Sequence, residues 1–125
     1  MVDSKVTSFE QLRVWQKSAE LAKTVYELTK KFPNKETFAL ADQVQRSAVS
    51  VSANIAEGFG RLSRAEKLNF YNIAYGSLLE TKSHLLIARK LYYISDKDLT
   101  AVSELIVSCQ KLINASRKSL GLNEK

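Results

Sequence analysis

Arg46-Ser47-Ala48-Val49-Ser50-Val51-Ser52-Ala53-Asn54-Ile55-Ala56-Glu57-Gly58-Phe59-Gly60-Arg61 is the stretch on which the fold turns. Arg46, Ser50, Asn54, Glu57 and Arg61 fall three or four residues apart, so they share one face of an α-helix. Between Gln43 and Gly60 only Arg46 and Glu57 are charged. An outer bundle helix normally turns a charged face to water, and this one has none. The expectation is a helix covered on more than one side. A lone bundle of four helices cannot supply that cover, so a second subunit is expected against it. The helix is read from about Lys35 to Phe59, with Asn34 as its N-cap and Gly58 and Gly60 as its stop.

Working outward, three more segments carry a helical period. The first runs from about Phe9 to Lys31, opened by Ser8 with Gln11 as a capping box. Leu12, Trp15, Ala19, Leu21, Ala22, Val25, Tyr26, Leu28 and Phe32 make its apolar stripe, and Pro33 ends it. The third runs from about Arg64 to Leu91 and the fourth from about Asp96 to Leu120. Ser63 with Glu66, and Ser95 with Asp98, are read as further capping boxes. Leu99, Val102, Ile106, Cys109 and Ile113 form the core stripe of the fourth. The links are short, which turns neighbouring helices antiparallel. The expected fold is one all-α domain over residues 1–125, an antiparallel up-down-up-down four-helix bundle.

Composition agrees. With 4 Gly and 1 Pro in 125 residues, turn residues are too few for a small sandwich or barrel. The N-terminus has no apolar stretch, no apolar run approaches the roughly 18 residues of a membrane span, and the single Cys cannot form an internal disulfide. A cytoplasmic protein is expected.

Catalytic readings are weak. His84 is the only histidine, and Glu80 with His84, four apart, occurs once, where bundle metal sites use several inward Glu residues and two Glu-x-x-His pairs. Cys109 with His84 could form a nucleophile–base pair, but Cys109 falls on an apolar stripe. Gly58-Phe59-Gly60 lacks the preceding strand and following Lys-Ser/Thr of a phosphate-binding loop. Neither an enzyme, a metal site nor a cofactor is expected.

Two polar features remain. The line of Arg46, Ser50, Asn54 and Glu57 should meet Ser77 and Glu80 of the third helix as a register-fixing network. An Arg46–Glu80 ion pair is expected within it, and Glu57 near Glu66 and Asn69. The second feature is charge. The net charge is +6, and the topology gathers it at one end. Lys5, Arg13, Lys17, Arg61, Arg64, Lys67, Lys111, Arg117, Lys118 and Lys125 lie there against Asp3, Glu10, Glu57, Glu66 and Glu124, about +5. The other end is about +1. A basic end suits phosphate contacts that do not read sequence; plain solubility is the competing reading.

Three stretches resemble a known family: Phe9 to Lys17, Arg46 to Arg61 and Ala74 to Glu80. Together they are similar to the bacterial four-helix-bundle proteins encoded in intervening sequences of 23S ribosomal RNA genes. Asn54-Ile55-Ala56-Glu57-Gly58 is the most specific part, and Arg46-Ser47 stands where that family usually has Arg-Ala. The resemblance implies a closed homo-oligomer, best known as a pentamer, without enzymatic activity. It also implies kinship in fold with the basic accessory proteins of diversity-generating retroelements, which bind nucleic acid and partner a reverse transcriptase.

Two functions follow as expectations. One is a nucleic-acid-binding accessory protein, for RNA or RNA–DNA, with Arg13, Lys17, Arg61, Arg64, Lys67, Arg117 and Lys118 as phosphate contacts. The other is a protein-only oligomeric scaffold whose charge serves solubility.

Overall fold

The computed structural model describes residues 6–121. Lys5, Lys125, Asp3 and Glu124, counted above at the basic end, lie outside the described residues. Four α-helices account for most of the rest: α1 (Arg13–Thr29), α2 (Leu40–Phe59), α3 (Arg64–Lys90) and α4 (Asp96–Ser119). There is no strand among the described residues. No helix among them is long and apolar enough to cross a membrane.

Two helices start later than the sequence pattern indicates. Ser8 and Gln11 do form a capping box, but it closes a 3-10 turn, Phe9–Gln11. Leu12 then turns extended (φ −78°, ψ 127°) before α1 begins at Arg13. Asn34 does not cap α2; it opens a second 3-10 turn, Asn34–Glu36, and α2 begins at Leu40 without a side-chain cap. Glu36 bridges the gap by accepting from the Leu40 N–H at 3.2 Å. Ser95 and Asp98 form the expected box. Ser63 accepts from the Glu66 N–H, but the Glu66 carboxylate accepts from the Ser63 hydroxyl and leaves the return bond unmade.

Each helix packs on its chain neighbours, and α1 also packs on α4. The core runs through Leu21 and Val25 of α1, Val44, Val51 and Ile55 of α2, Leu78 and Leu85 of α3, and Ile106, Cys109 and Ile113 of α4, all fully buried. Tyr26, placed on the apolar stripe by its spacing, is 47% exposed. Ser18 occupies the core instead, its hydroxyl satisfied by the Val14 carbonyl at 2.7 Å.

Contact is closest between α2 and α3. A Cβ on Gly58 would stand 3.0 Å from the Phe70 Cβ. Gly58 therefore does not stop the helix, as its position indicated; it lets two backbones approach. Ser47 meets Thr81 at 2.9 Å and Ser50 meets Ser77 at 2.9 Å. The number falls along α3 as it rises along α2, so this pair is antiparallel. A slip in register would break both interhelical contacts and leave Ser47 and Thr81 only their bonds to the Val44 and Ser77 carbonyls of their own helices.

Candidate nucleic-acid interface

The turn between α2 and α3, the start of α1 and the end of α4 come together at one end, around a shared cleft. Leu12, Phe59, Lys67, Tyr71, Ser116 and Leu120 line a cleft of about 450 Å³ there. The cations around it are not equally available.

Lys67 donates to the Phe59 carbonyl (2.9 Å) and, more weakly, to the Gly58 carbonyl (3.3 Å), which also accepts from the Arg61 N–H at 3.2 Å; both carbonyls lie at the end of α2. Arg64 donates to the Ser119 carbonyl at the end of α4, 3.0 Å away. Both side chains rise from the start of α3, where the helix's own dipole repels positive charge. They reach the negative ends of the two antiparallel neighbours, so each cation is held by its setting.

Arg117 lies over the Tyr75 ring, 4.1 Å from its centroid, and donates to Asn72 Oδ1 (3.2 Å) and Asn114 Oδ1 (2.7 Å). Its Nε is buried without a partner. Stacking and two amide bonds fix this guanidinium between α3 and α4. Arg61 pairs with Glu57 at 2.9 Å and stacks over Phe70 at 4.7 Å. Lys17 pairs with Glu20 at 3.6 Å. These last two pairs are exposed, and such pairs hold their members by at most about 1 kcal/mol. Arg13 and Lys118 are exposed, with no partner among the described residues, and Lys111 is like them.

The interhelical network is smaller than expected. Ser50 and Ser77 meet, and Asn54 donates to the Ser50 carbonyl (2.8 Å) and hydroxyl (3.0 Å). The Arg46–Glu80 ion pair does not form. Arg46 turns back along its own helix to Asp42 at 2.9 Å, and Glu80 turns to His84 at 3.2 Å. Arg46 and Glu80 both stay largely exposed this way, where a charge keeps most of its hydration. Glu57 likewise pairs with Arg61, not with residues near Glu66 and Asn69. Ser47, one step off the line that Arg46 and Ser50 define, meets Thr81 and adds a contact to the network.

Cys109 is fully buried, and burial pushes its thiol up to about 11, so it stays protonated and packs as a small apolar group. Among the described residues no three His, Cys, Asp or Glu side chains stand close enough to hold a metal ion.

Comparison with known proteins agrees with this architecture. A solved structure of a protein of unknown function from the S23 ribosomal protein family of Bacteroides thetaiotaomicron is 30% identical to this chain. It superposes with a TM-score of 0.78, covering 84% of this chain and 98% of that one. No functionally curated protein matches the chain. The family model of the 23S rRNA-intervening sequence protein matches residues 10–115, from the first turn through most of α4, and the chain belongs to that family.

Proposed function

We propose that the four helices form an up-down-up-down bundle that assembles as a closed homo-oligomer, with a pentamer favoured, and acts in the cytoplasm as a non-enzymatic, nucleic-acid-binding accessory protein. Its ligand is RNA or an RNA–DNA hybrid, held at the basic end by contacts to phosphate. A reverse transcriptase is the partner that the likeness to retroelement accessory proteins brings into this reading.

The observation that carries the binding reading is the group of Arg13, Lys111 and Lys118, exposed at one end without ion partners among the described residues. Arg61 and Lys17 join them by exchanging a weak carboxylate contact for a phosphate. Association is supported by two helix faces. The outer side of α2 carries Val49 and Ala53, both exposed, and beyond Asp42 in its first turn the helix is charged only at Arg46 and Glu57. The outer side of α3 carries Ile73 and Leu79, each 44% exposed, around Gly76. Gly76 lies in the middle of a 27-residue helix with nothing within 4 Å of where a Cβ would be. Glycine there costs about 1 kcal/mol against alanine and gains no contact within the chain. A neighbouring subunit packed closely on that face would supply the reason.

The test is a mobility-shift titration of structured RNA at two salt concentrations. Wild type should bind at low salt and weaken as salt rises. Arg13→Glu with Lys118→Glu should abolish the shift, because neither side chain supports the fold. Equal binding by wild type and variant would remove the proposed surface. Absence of any shift at low salt would favour the protein-only scaffold. One observation already speaks for that second reading: Lys67, Arg64 and Arg117 are committed to contacts inside the chain.

A further inference from the structure

The end of the bundle away from the basic surface holds a feature that neither reading uses. Phe38 is 94% exposed and Tyr92 84% exposed, with Leu91 at 48%. Phe38 lies in the connection between α1 and α2 and Tyr92 follows α3, and the two loops are tied together. The Tyr93 hydroxyl donates to Glu36 Oε2 at 2.7 Å, and the Phe32 and Tyr93 rings lie 5.4 Å apart.

Tyr92 is also strained. Its φ is +62°, the only left-handed non-glycine residue among those described. Glycine is the usual residue at this place after a helix, as with Gly121 after α4 at φ +95°. A bulky aromatic in this conformation is an outlier, and its ring recovers little by burial.

Charge says what would cover these side chains. The carboxylates here are mostly committed: Asp98 to Lys31 at 2.8 Å, Asp42 to Arg46 at 2.9 Å, Asp96 to Arg89 and Glu36 to Tyr93. Lys30, Lys35, Lys90 and Lys97 are exposed without ion partners among the described residues, and Glu27 and Glu36 are the carboxylates without a cationic partner. A cleft of about 600 Å³ opens beside Tyr92, floored by Tyr93 and Ile94 with Asp96 and Asp98 on its rim.

We infer that this end docks an acidic, apolar segment of another polypeptide, whose large side chains cover Phe38 and Tyr92 while its carboxylates meet the four free lysines. A continuous polyanion fits less well. A phosphodiester chain or an anionic bilayer would also press against Asp96, whose side chain is 82% exposed, and against Glu27. A peptide places its carboxylates singly, between the acids, and sends a side chain into the cleft. The inference stands whether or not the other end binds nucleic acid.

The probe is a short, labelled synthetic peptide of Glu, Leu and Phe, with a counterpart carrying Lys in place of Glu. Binding to the full chain is read by fluorescence anisotropy. The acidic peptide should bind and the basic one should not. Phe38→Ser, Tyr92→Gly and the pair Lys35→Glu with Lys90→Glu should each weaken binding about tenfold or more. Tyr92→Gly should at the same time raise the melting temperature, because it relieves the left-handed tyrosine, so its loss of binding cannot be ascribed to unfolding. No binding of the acidic peptide, or binding indifferent to all three variants, overturns the inference. So does an oligoribonucleotide or a phosphatidylserine vesicle whose binding depends on Phe38 and Tyr92 where the peptide's does not.

Discussion

The two ends of the molecule differ in which charged side chains are engaged. At the basic end, Lys67 and Arg64 are bound to the terminal carbonyls of α2 and α4, and Arg117 is pinned over Tyr75. At the other end it is the carboxylates that are committed, to Lys31, Arg89, Arg46 and Tyr93, and four lysines stay free. A count of charges along the sequence therefore overstates what the first end offers a partner and understates the second. Helix direction is the cause. Antiparallel neighbours place two negative helix termini beside the start of α3, and nearby cations are drawn to them.

The largest test of this contrast strikes the contact that brings α3 so close to the end of α2. Gly58→Leu should destabilise the fold by about 3 kcal/mol, since even a Cβ would stand 3.0 Å from Phe70. Denaturant titration measures it, and a loss below about 1 kcal/mol would mean that the helices part easily. Next comes the cap itself. Lys67→Met should cost about 1 kcal/mol by freeing the Phe59 carbonyl, since the Gly58 carbonyl keeps the Arg61 N–H. Lys90→Met, at the opposite end, should change stability by less than about 0.5 kcal/mol. Equal effects would remove the distinction between a committed and a free lysine.

The helix stops sharpen the same comparison. Gly121 and Tyr92 hold equivalent places after α4 and α3, with φ of +95° and +62°. Tyr92→Gly should stabilise by about 1 kcal/mol and Gly121→Ala should destabilise by about the same amount. Thermal unfolding of the two variants reads both signs.

The helices themselves were legible from periodicity, because an apolar stripe constrains every turn of a packed helix. The family was legible too, from Arg46 to Arg61 and its companion stretches. What could not be read was local competition. Ser8 and Gln11 signal a helix start, yet Leu12 breaks the run. Gly58 resembles a stop and is a contact. Arg46 has a carboxylate across the groove and another four residues back, and the nearer one costs less chain ordering. The seven cations proposed for phosphate are all charged in sequence; which ones are already engaged depends on where neighbouring helices end, and no single segment encodes that.

Acid should separate the ends with the smallest effect. Glu36 is held below its ordinary value of 4.5, first by the Tyr93 hydroxyl and then by the Leu40 N–H. Asp98 and Asp96 are held below 3.8, by Lys31 and Arg89 respectively. A carboxyl whose folded pKa is depressed contributes stability that is complete above its unfolded pKa and lost as pH falls through the folded one. All three tie neighbouring elements together at the aromatic end, so acidification from about pH 6 to about pH 3 should loosen that end first. Amide hydrogen exchange around Tyr93 and Glu36 should accelerate while exchange around Ser50 and Ser77 holds. Tyr93→Phe removes the leading cause of the Glu36 shift, and exchange near Glu36 should then depend less on pH. Parallel acceleration in both regions would show that acid acts on the whole bundle, and the two ends would have to be treated as one electrostatic unit.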